Sequence, residues 1–439
     1  MRRLASITPA LVSAACAIVG CSSPSGSDGT TGEDAFSSNQ ATLLDFEFDS
    51  SLVTDFSWND EQTIQDQLLY TIGHLNHDNS VGRLDALELS NIVKTERDDG
   101  KIEIKYHAKL PVAWGSKTNL PTTYQFKLPK DVSYDGQHAF TEAHKHTCVD
   151  WGAHDVDIGS MWYYYRPQKR GCGVKDDELV ITTATATRST LNTTGKYPEY
   201  HEVWKDDRLE VISIFGKYEE TGGANDSGVR AFNAFVRNMK SELGRHRLVT
   251  RPANVAANPG PDTKDVTFEA TLPDGKQVKV TALLVDAITS TWSGFDERYE
   301  SLTPTADLIA YNGHAGLGQN VRALARKGKW EAKKYQLFFM NGCDTFAYVD
   351  GALAETRAKF NADDPTGTKY MEFITNAMPS YFHSMADAST AMVLGLLSFE
   401  QPKTYDEIFK DIDRAEVVLV TGEEDNVFRP GMPIGSRSR

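Results

Sequence analysis

Positive charge is in short supply in this chain. Forty-six lysines and arginines face 61 aspartates and glutamates, for a formal net charge of −15. Nucleic acids and anionic lipid surfaces are gripped through basic patches, so neither is an expected partner of the folded body. Cysteine is scarce as well, with five residues, so each one is open to individual accounting. Internal repeats are absent, and beyond the N-terminal segment no apolar run is long enough to cross a bilayer. The apolar content is nonetheless ordinary at 40%, with 10% aromatic residues, which supplies a substantial core. A chain of 439 residues exceeds the size at which one core usually stops growing, so two domains are expected.

The segment "MRRLASITPALVSAACAIVGC" joins two early arginines to an apolar stretch and ends in small residues, the pattern of a secretory signal. Its last four residues, Ile18-Val19-Gly20-Cys21, resemble the lipobox of bacterial lipoproteins. That resemblance implies a signal peptide over residues 1–20 and a lipid on Cys21. An ordinary signal cleaved near Cys21, or an uncleaved anchor, is the alternative. Residues 21–40 follow as a flexible tether, because "SSPSGSDGTTGEDAFSSNQ" is rich in Ser, Gly, Asp and Thr and shows no apolar period. The expected location is the bacterial cell envelope, outer membrane or periplasm-facing, with the lipid as the only membrane contact.

Export changes how the remaining cysteines are read. Cys16 leaves with the signal, and Cys148 and Cys172 form an even pair for which a disulfide is the default. Closing that loop contributes roughly 3 kcal/mol when its geometry is relaxed. Cys343 is left over as an unpaired thiol, either an inert buried residue or one kept for chemistry.

Residues 41–205 alternate in short segments such as "KIEIKYHAKLPVAW", "TYQFKLP" and "ELVITTATAT", which predicts a β-rich N-terminal domain. From 206 to 439 the pattern changes to strand and helix in turn. "RLEVISIFGKY" reads as a buried strand, and Val229, Phe232, Phe235, Val236, Met239 and Leu243 fall at helical spacing. A hairpin turned at Pro273-Asp274-Gly275 comes next. Three buried strands follow, "DLIAY", "YQLFFM" and "KYMEFITNAMP", with a helix over 319–327 between the first two and a long helix through "SMADASTAMVLGLL" after the third. Alternation of this kind predicts an α/β domain with a largely parallel sheet.

Two of those strands stop at the same dipeptide. Asn312-Gly313 precedes His314, and Asn341-Gly342 precedes Cys343. A strand, a crossover helix and a second strand make a right-handed βαβ unit with both strands running the same way. His314 and Cys343 would then emerge together at the carboxyl edge of the sheet, where open α/β sheets place ligands. Glycine before each residue would let the backbone turn sharply.

An apolar strand ending in His-Gly, followed by one ending in Ala-Cys or Gly-Cys, is the signature of the caspase-like cysteine peptidases, among them caspases, legumains and gingipains. "DLIAYNGH" and "YQLFFMNGC" resemble that pair, in the family's order, over the core of residues 206–400. The resemblance implies a caspase-like α/β fold in which Cys343 attacks a peptide carbonyl and His314 polarises the thiol or protonates the departing amine. Backbone N–H groups of Cys343 and of Ala315 or Gly316 would hold the oxyanion, and Asp344, Thr375 and Asn376, with His383 nearby, would flank the substrate. No cofactor or metal is implied. One departure stands out: Ala315 follows His314 where the family has glycine. A second reading therefore keeps the scaffold and drops the chemistry, leaving a surface lipoprotein that binds or supports.

Three other stretches carry residues of site-forming types. His138, His144, His146 and His154 cluster with Glu142, Asp150 and Asp155, but their spacing matches no closed zinc motif, which favours a polar loop near the disulfide. Asn76, Asp78 and Ser80 alternate like early calcium ligands, yet Leu87 stands where a bidentate acid is required, which favours a turn. "MWYYYRP" (161–167) reads as half-buried strand packing, with carbohydrate or partner binding as the alternative. For the anchor, Cys21→Ala is expected to abolish metabolic incorporation of a fatty acid and to release the protein from membranes; lipid labelling that survives the substitution contradicts the assignment.

Overall fold

The alternating segments of the first half pair into a six-stranded antiparallel sheet. Its strands are β1 (Thr42–Thr54), β2 (Val81–Gly82), β3 (Glu88–Glu96), β4 (Ile102–Trp114), β5 (Thr123–Pro129) and β6 (Leu179–Arg188), in the order β2-β4-β1-β6-β5 with β3 also on β4. The computed structural model describes residues 36–316, 318–348, 351–413, 416–422 and 426–435. The signal segment 1–20, Cys21 and the tether up to residue 35 lie outside the described residues. Residues 36–38, assigned to the tether from composition, are buried: Ser37 bridges Val420, and the Phe36 ring meets Phe346 edge-on at 6.1 Å. A single aromatic side chain with a cavity to fill overrides the surrounding small polar residues.

The second half builds an eight-stranded sheet from β7 (Arg208–Gly216), β8 (Arg247–Arg251), β9 (Asp265–Thr271), β10 (Gln277–Val285), β11 (Leu308–Asn312), β12 (Gln336–Asn341), β13 (Met371–Asn376) and β14 (Val418–Gly422). The order is β14-β13-β12-β11-β7-β10-β9-β8. The strands β13, β12, β11, β7 and β10 are mutually parallel, whereas β14 and β9 run antiparallel to their neighbours. The protein is thus a mixed α/β protein with two sheets, the second of them mixed in direction. Both sheets lie in one compact unit, Glu33–Arg439.

Period-two alternation sorts the second sheet's side chains onto two buried faces. Leu308, Ala310, Leu337 and Phe339 meet the helices Ser227–Leu243 and Met385–Leu397 on one side. Ile309, Tyr311, Phe338 and Met340 meet Phe295–Leu302, Gln319–Lys327 and Ala352–Ala358 on the other. Helix Ser227–Leu243 is capped by Asp226, which accepts from the amides of Gly228 (2.8 Å) and Val229 (3.2 Å). All six of its periodic apolar residues are buried.

Helices also enter the first half where strands or loops were expected. Residues Tyr134–His144 are helical, started by Ser133, whose side chain accepts from the Gly136 amide at 3.1 Å. His144 therefore ends a helix. The run "MWYYYRP" contains a four-residue helix, Met161–Tyr164, in place of a strand. Cys148 and Cys172 form the disulfide. The first half's core, with Phe46, Leu110, Phe126 and Phe140, extends onto Ala315, Phe346, Ala377 and Leu419 at the carboxyl edge of the second sheet. That shared core joins the packing of the first sheet to the carboxyl edge of the second.

Three strands of the second sheet end in asparagine, and those asparagines bond to one another. Asn341 Nδ2 donates to Asn312 Oδ1 at 2.9 Å, and Asn376 Nδ2 donates to Asn341 Oδ1 at 2.9 Å. Ser389 Oγ donates to Asn312 Oδ1 (2.8 Å) and Ser380 Oγ to Asn341 Oδ1 (2.7 Å). All three amides are fully buried. Asn341→Ala removes a donor from Asn312 and leaves Asn376 Nδ2 and Ser380 Oγ with only the long contacts to the Gly342 carbonyl (3.5 Å) and Glu416 (3.4 Å) among the described residues, and each buried polar group left without a good partner costs about 1–3 kcal/mol. Denaturant unfolding is expected to show a loss of at least about 3 kcal/mol, and a loss under about 1 kcal/mol contradicts the ladder's role.

Candidate active site at the carboxyl edge of the second sheet

The strands β11 and β12 are parallel neighbours whose register pairs Leu308 with Leu337 and Asn312 with Asn341. The two Asn-Gly pairs therefore leave the sheet at the same level, each delivering its next residue to the carboxyl edge. The glycines are needed for space, not for unusual backbone angles. A Cβ on Gly342 would stand 2.8 Å from the Gly313 carbonyl oxygen, and one on Gly313 would stand 2.8 Å from the Tyr311 hydroxyl. Tyr311 uses that room to donate to the His314 carbonyl at 2.8 Å, and Asn320 Nδ2 donates to the same oxygen.

His314 is exposed, and its ring completes a cluster of three with two aromatic rings that also meet each other at 5.5 Å. Tyr218 and Phe382 lie 5.3 and 5.1 Å away between centroids. Its Nε2 lies 2.9 Å from the Tyr218 carbonyl oxygen. A carbonyl only accepts, so Nε2 carries the proton and the lone pair of the neutral ring sits on Nδ1.

Cys343 remains partly accessible, and its sulfur lies 3.7 Å from the Ser380 carbonyl oxygen. Burial pushes the thiol up to about 11, helped by the neighbouring Asp344 and Glu416, while hydrogen bonding with the Ser380 backbone and Tyr163 pulls the other way. Among the described residues no hydrogen bond joins His314 to Cys343. The expected contact of imidazole and thiol is thus not made in this conformation, because Tyr218 holds the imidazole's Nε2.

The oxyanion donors fare differently. Among the described residues, the amides of Cys343, Ala315 and Gly316 donate to no protein acceptor. The Ala315 nitrogen lies 3.4 Å from where a Gly342 Cβ would be, so two of these donors sit close together at the strand ends. Buried or half-buried N–H groups without partners are rare, and a developing oxyanion is the kind of acceptor that would satisfy them. Gly316 takes a φ of +59°, open to glycine, while Ala315 avoids the left-handed region.

The expected substrate-flanking residues do not line an open surface. Asp344, Thr375 and Asn376 are all fully buried. Asn376 belongs to the asparagine ladder, and Thr375 alternates to the sheet's other face. Sequence reasoning treated the strand end as a rim, whereas the first half's core covers it. What faces solvent beside His314 is aromatic: Tyr218 is 46% exposed and Phe382 is partly so. His383 is exposed and pairs with Asp413 at 3.2 Å.

Residues from the first half complete the surroundings. Asn76 Nδ2 donates to Asp344 Oδ1 at 2.9 Å, so the residue considered as a calcium ligand instead ties the two halves together. Asp344 adopts a φ of +51°, unusual for a residue with a side chain. Among the described residues no cluster of three or more His, Cys, Asp or Glu could hold a metal, and no helix is long and apolar enough to cross a membrane. No protein-family model matches the chain, and a search of curated proteins finds no significant match.

Burial pushes the Asp344 carboxyl from its ordinary 3.8 up to about 6, against the pull of hydrogen bonds from Asn76 and Tyr163 and the charge of Arg166. A carboxyl held above its unfolded value binds its proton more tightly when folded. Its contribution is most favourable below about pH 4 and is lost as pH rises through 6, by roughly 3 kcal/mol. Asp344→Asn stays neutral and keeps an oxygen for Asn76. Its melting temperature is expected to vary less than the parent's between pH 4 and 7, and parallel profiles would contradict the assignment.

Proposed function

We propose that this protein is an extracytoplasmic, lipid-tethered cysteine endopeptidase with a caspase-like catalytic region. The observation that carries the reading is the register of β11 on β12, which sets His314 and Cys343 at one edge beside unpartnered amides. In this reading, Cys343 attacks the substrate carbonyl as thiolate, forming the C–S bond as the carbonyl electrons move onto oxygen. The amides of Cys343 and Ala315 hold that oxygen, each donor supplying roughly 3 kcal/mol. The proton that the thiol gives up passes to Nδ1 of His314, and the imidazolium so formed, released from Tyr218, gives a proton to the departing amine as the C–N bond breaks. Water then cleaves the thioester and restores the thiol. No cofactor enters the scheme, and the substrate is a peptide or protein segment reaching the aromatic rim.

A second reading, a binding module on the same scaffold, is favoured by one specific observation. The resting thiol is held up to about 11 and lacks an imidazole partner, as an inert cysteine would be. Labelling with a peptidyl thiol-directed inhibitor separates the two. The peptidase reading expects labelling and hydrolysis by the parent, neither by Cys343→Ala, and hydrolysis lowered at least about hundredfold by His314→Ala. Hydrolysis retained by Cys343→Ala, or a parent thiol that is labelled only after denaturation, would decide for the binding module.

A further inference from the structure

Asn76 takes no part in the scheme above, yet it reaches the residue beside the nucleophile. It ends the buried helix Tyr70–Asn76 of the first half, and its amide is oriented by neighbours on both sides. Nδ2 donates to the Ser80 carbonyl at 3.1 Å and to Asp344 Oδ1 at 2.9 Å, while Oδ1 accepts from Arg166 Nη2 at 3.4 Å. A reversed amide would set oxygen against the Ser80 carbonyl and the Asp344 carboxyl, so one orientation fits. Arg166 is fixed in turn, with Nη1 donating to the carbonyls of Gly73 (2.6 Å), Tyr163 (3.1 Å) and Tyr165 (3.1 Å). Its own amide donates to the carbonyl of Cys148, one arm of the disulfide, at 2.7 Å.

Asp344 is where the chain turns away after Cys343, and its backbone is left-handed, with φ +51°. Glycine takes that angle at no steric cost, so the turn alone does not call for a carboxyl in a fully buried position, where it must be desolvated. Its hydrogen bond from Asn76 offsets part of that cost. The Asp344 amide donates to the Met378 carbonyl at 3.2 Å, and its carbonyl accepts from the Ala347 amide at 2.9 Å. Thr345 Oγ1 donates to the Met340 carbonyl at 2.6 Å and accepts from the Asn376 amide at 2.9 Å. Those bonds lie within the second half and fix the backbone of the turn. The Asn76 bond spans 268 positions and fixes the turn's side chain from the other half.

We propose that Asn76 is a positioning residue for the nucleophile: by holding Asp344 it keeps the left-handed turn that aims the Cys343 sulfur and amide, so the first half completes the active site. It acts through Asp344. Without the bond, the turn opens locally to forms in which the sulfur meets solvent but is no longer aimed. Undirected reactivity of the thiol then rises while directed attack on a bound carbonyl falls.

This rests on Cys343 being the nucleophile of the proposed function, so the test reads the thiol separately from hydrolysis. Alkylation of Cys343 by iodoacetamide is timed in the full-length protein, under conditions where near-ultraviolet circular dichroism shows a native fold. Asn76→Ala is expected to speed alkylation about tenfold. Asp344→Gly keeps the backbone angle, breaks the same bond from the other side and is expected to match it. The double variant is expected to go no further than either single one, and Asp344→Asn, which keeps an oxygen for Asn76, to recover most of the protection. With any peptide the parent cleaves, Asn76→Ala is expected to lower kcat about tenfold and leave KM in place. Unchanged alkylation in the folded single variants, or effects that multiply in the double variant, overturns the proposal. Should Asn76→Ala fail to fold, Asp344→Gly carries the same test alone. Faster alkylation that follows this pattern in a protein that cleaves no peptide leaves the positioning of the sulfur standing and removes only the peptidase reading.

Discussion

Buried amides have nowhere else to bond, and the site depends on that constraint. Asn312, Asn341 and Asn376 end three adjacent strands, and inside the fold they bond to one another, to Ser213, Ser380 and Ser389, and to the carbonyls of Ile214 and Gly342. A slip of one strand by a single residue would exchange the two faces of the sheet and strand several polar groups in an apolar interior. The ladder therefore fixes the register, and the register fixes where Gly313 and Gly342 release the chain. Two residues past each asparagine lie His314 and Cys343. Their common level at the sheet's edge follows from the polar bonds beneath them.

The same edge is where the two halves of the chain meet. Phe36, Ser37 and Asn76 come from the first half, and Phe346, Val420 and Asp344 from the second. This cover shields the sulfur from water, which favours neutral thiol over thiolate. It also removes water from the neighbourhood of the oxyanion donors, where a hydrogen bond to developing charge is worth most. Burial thus opposes one step of the proposed reaction and assists another. In the proposed reaction, rotation of His314 away from Tyr218 is the step that would tip the balance.

Much of the second half was legible in the sequence. The strands "DLIAY" and "YQLFFM" are buried on both faces and read as continuous apolar runs, and the six apolar residues of helix Ser227–Leu243 repeat at helical spacing. Shared Asn-Gly endings carried the pairing of those two strands. The function of the asparagines was not legible, because each forms its bonds to residues tens of positions away. The first half was read less well. Helix Tyr134–His144 has a weak apolar stripe and gained its stability from Ser133 and Phe140, and the short aromatic helix at Met161 is held by Arg166 and the disulfide. The burial of Thr375 and Asn376 depends on a cover supplied by chain two hundred residues earlier, which no local pattern records. The polar tether was read from composition, and Phe36 alone marked where it stops.

The central claim is that the strand register presents a nucleophilic sulfur and two oxyanion donors to one substrate carbonyl. A structure of the protein with a peptide aldehyde bonded to Cys343 tests it most directly. The account predicts a hemithioacetal oxygen within hydrogen-bond distance of the Cys343 and Ala315 amides, with the His314 ring turned from Tyr218 toward the tetrahedral carbon. An adduct whose oxygen points away from both amides, or a sulfur that the aldehyde never reaches in the folded protein, would contradict it.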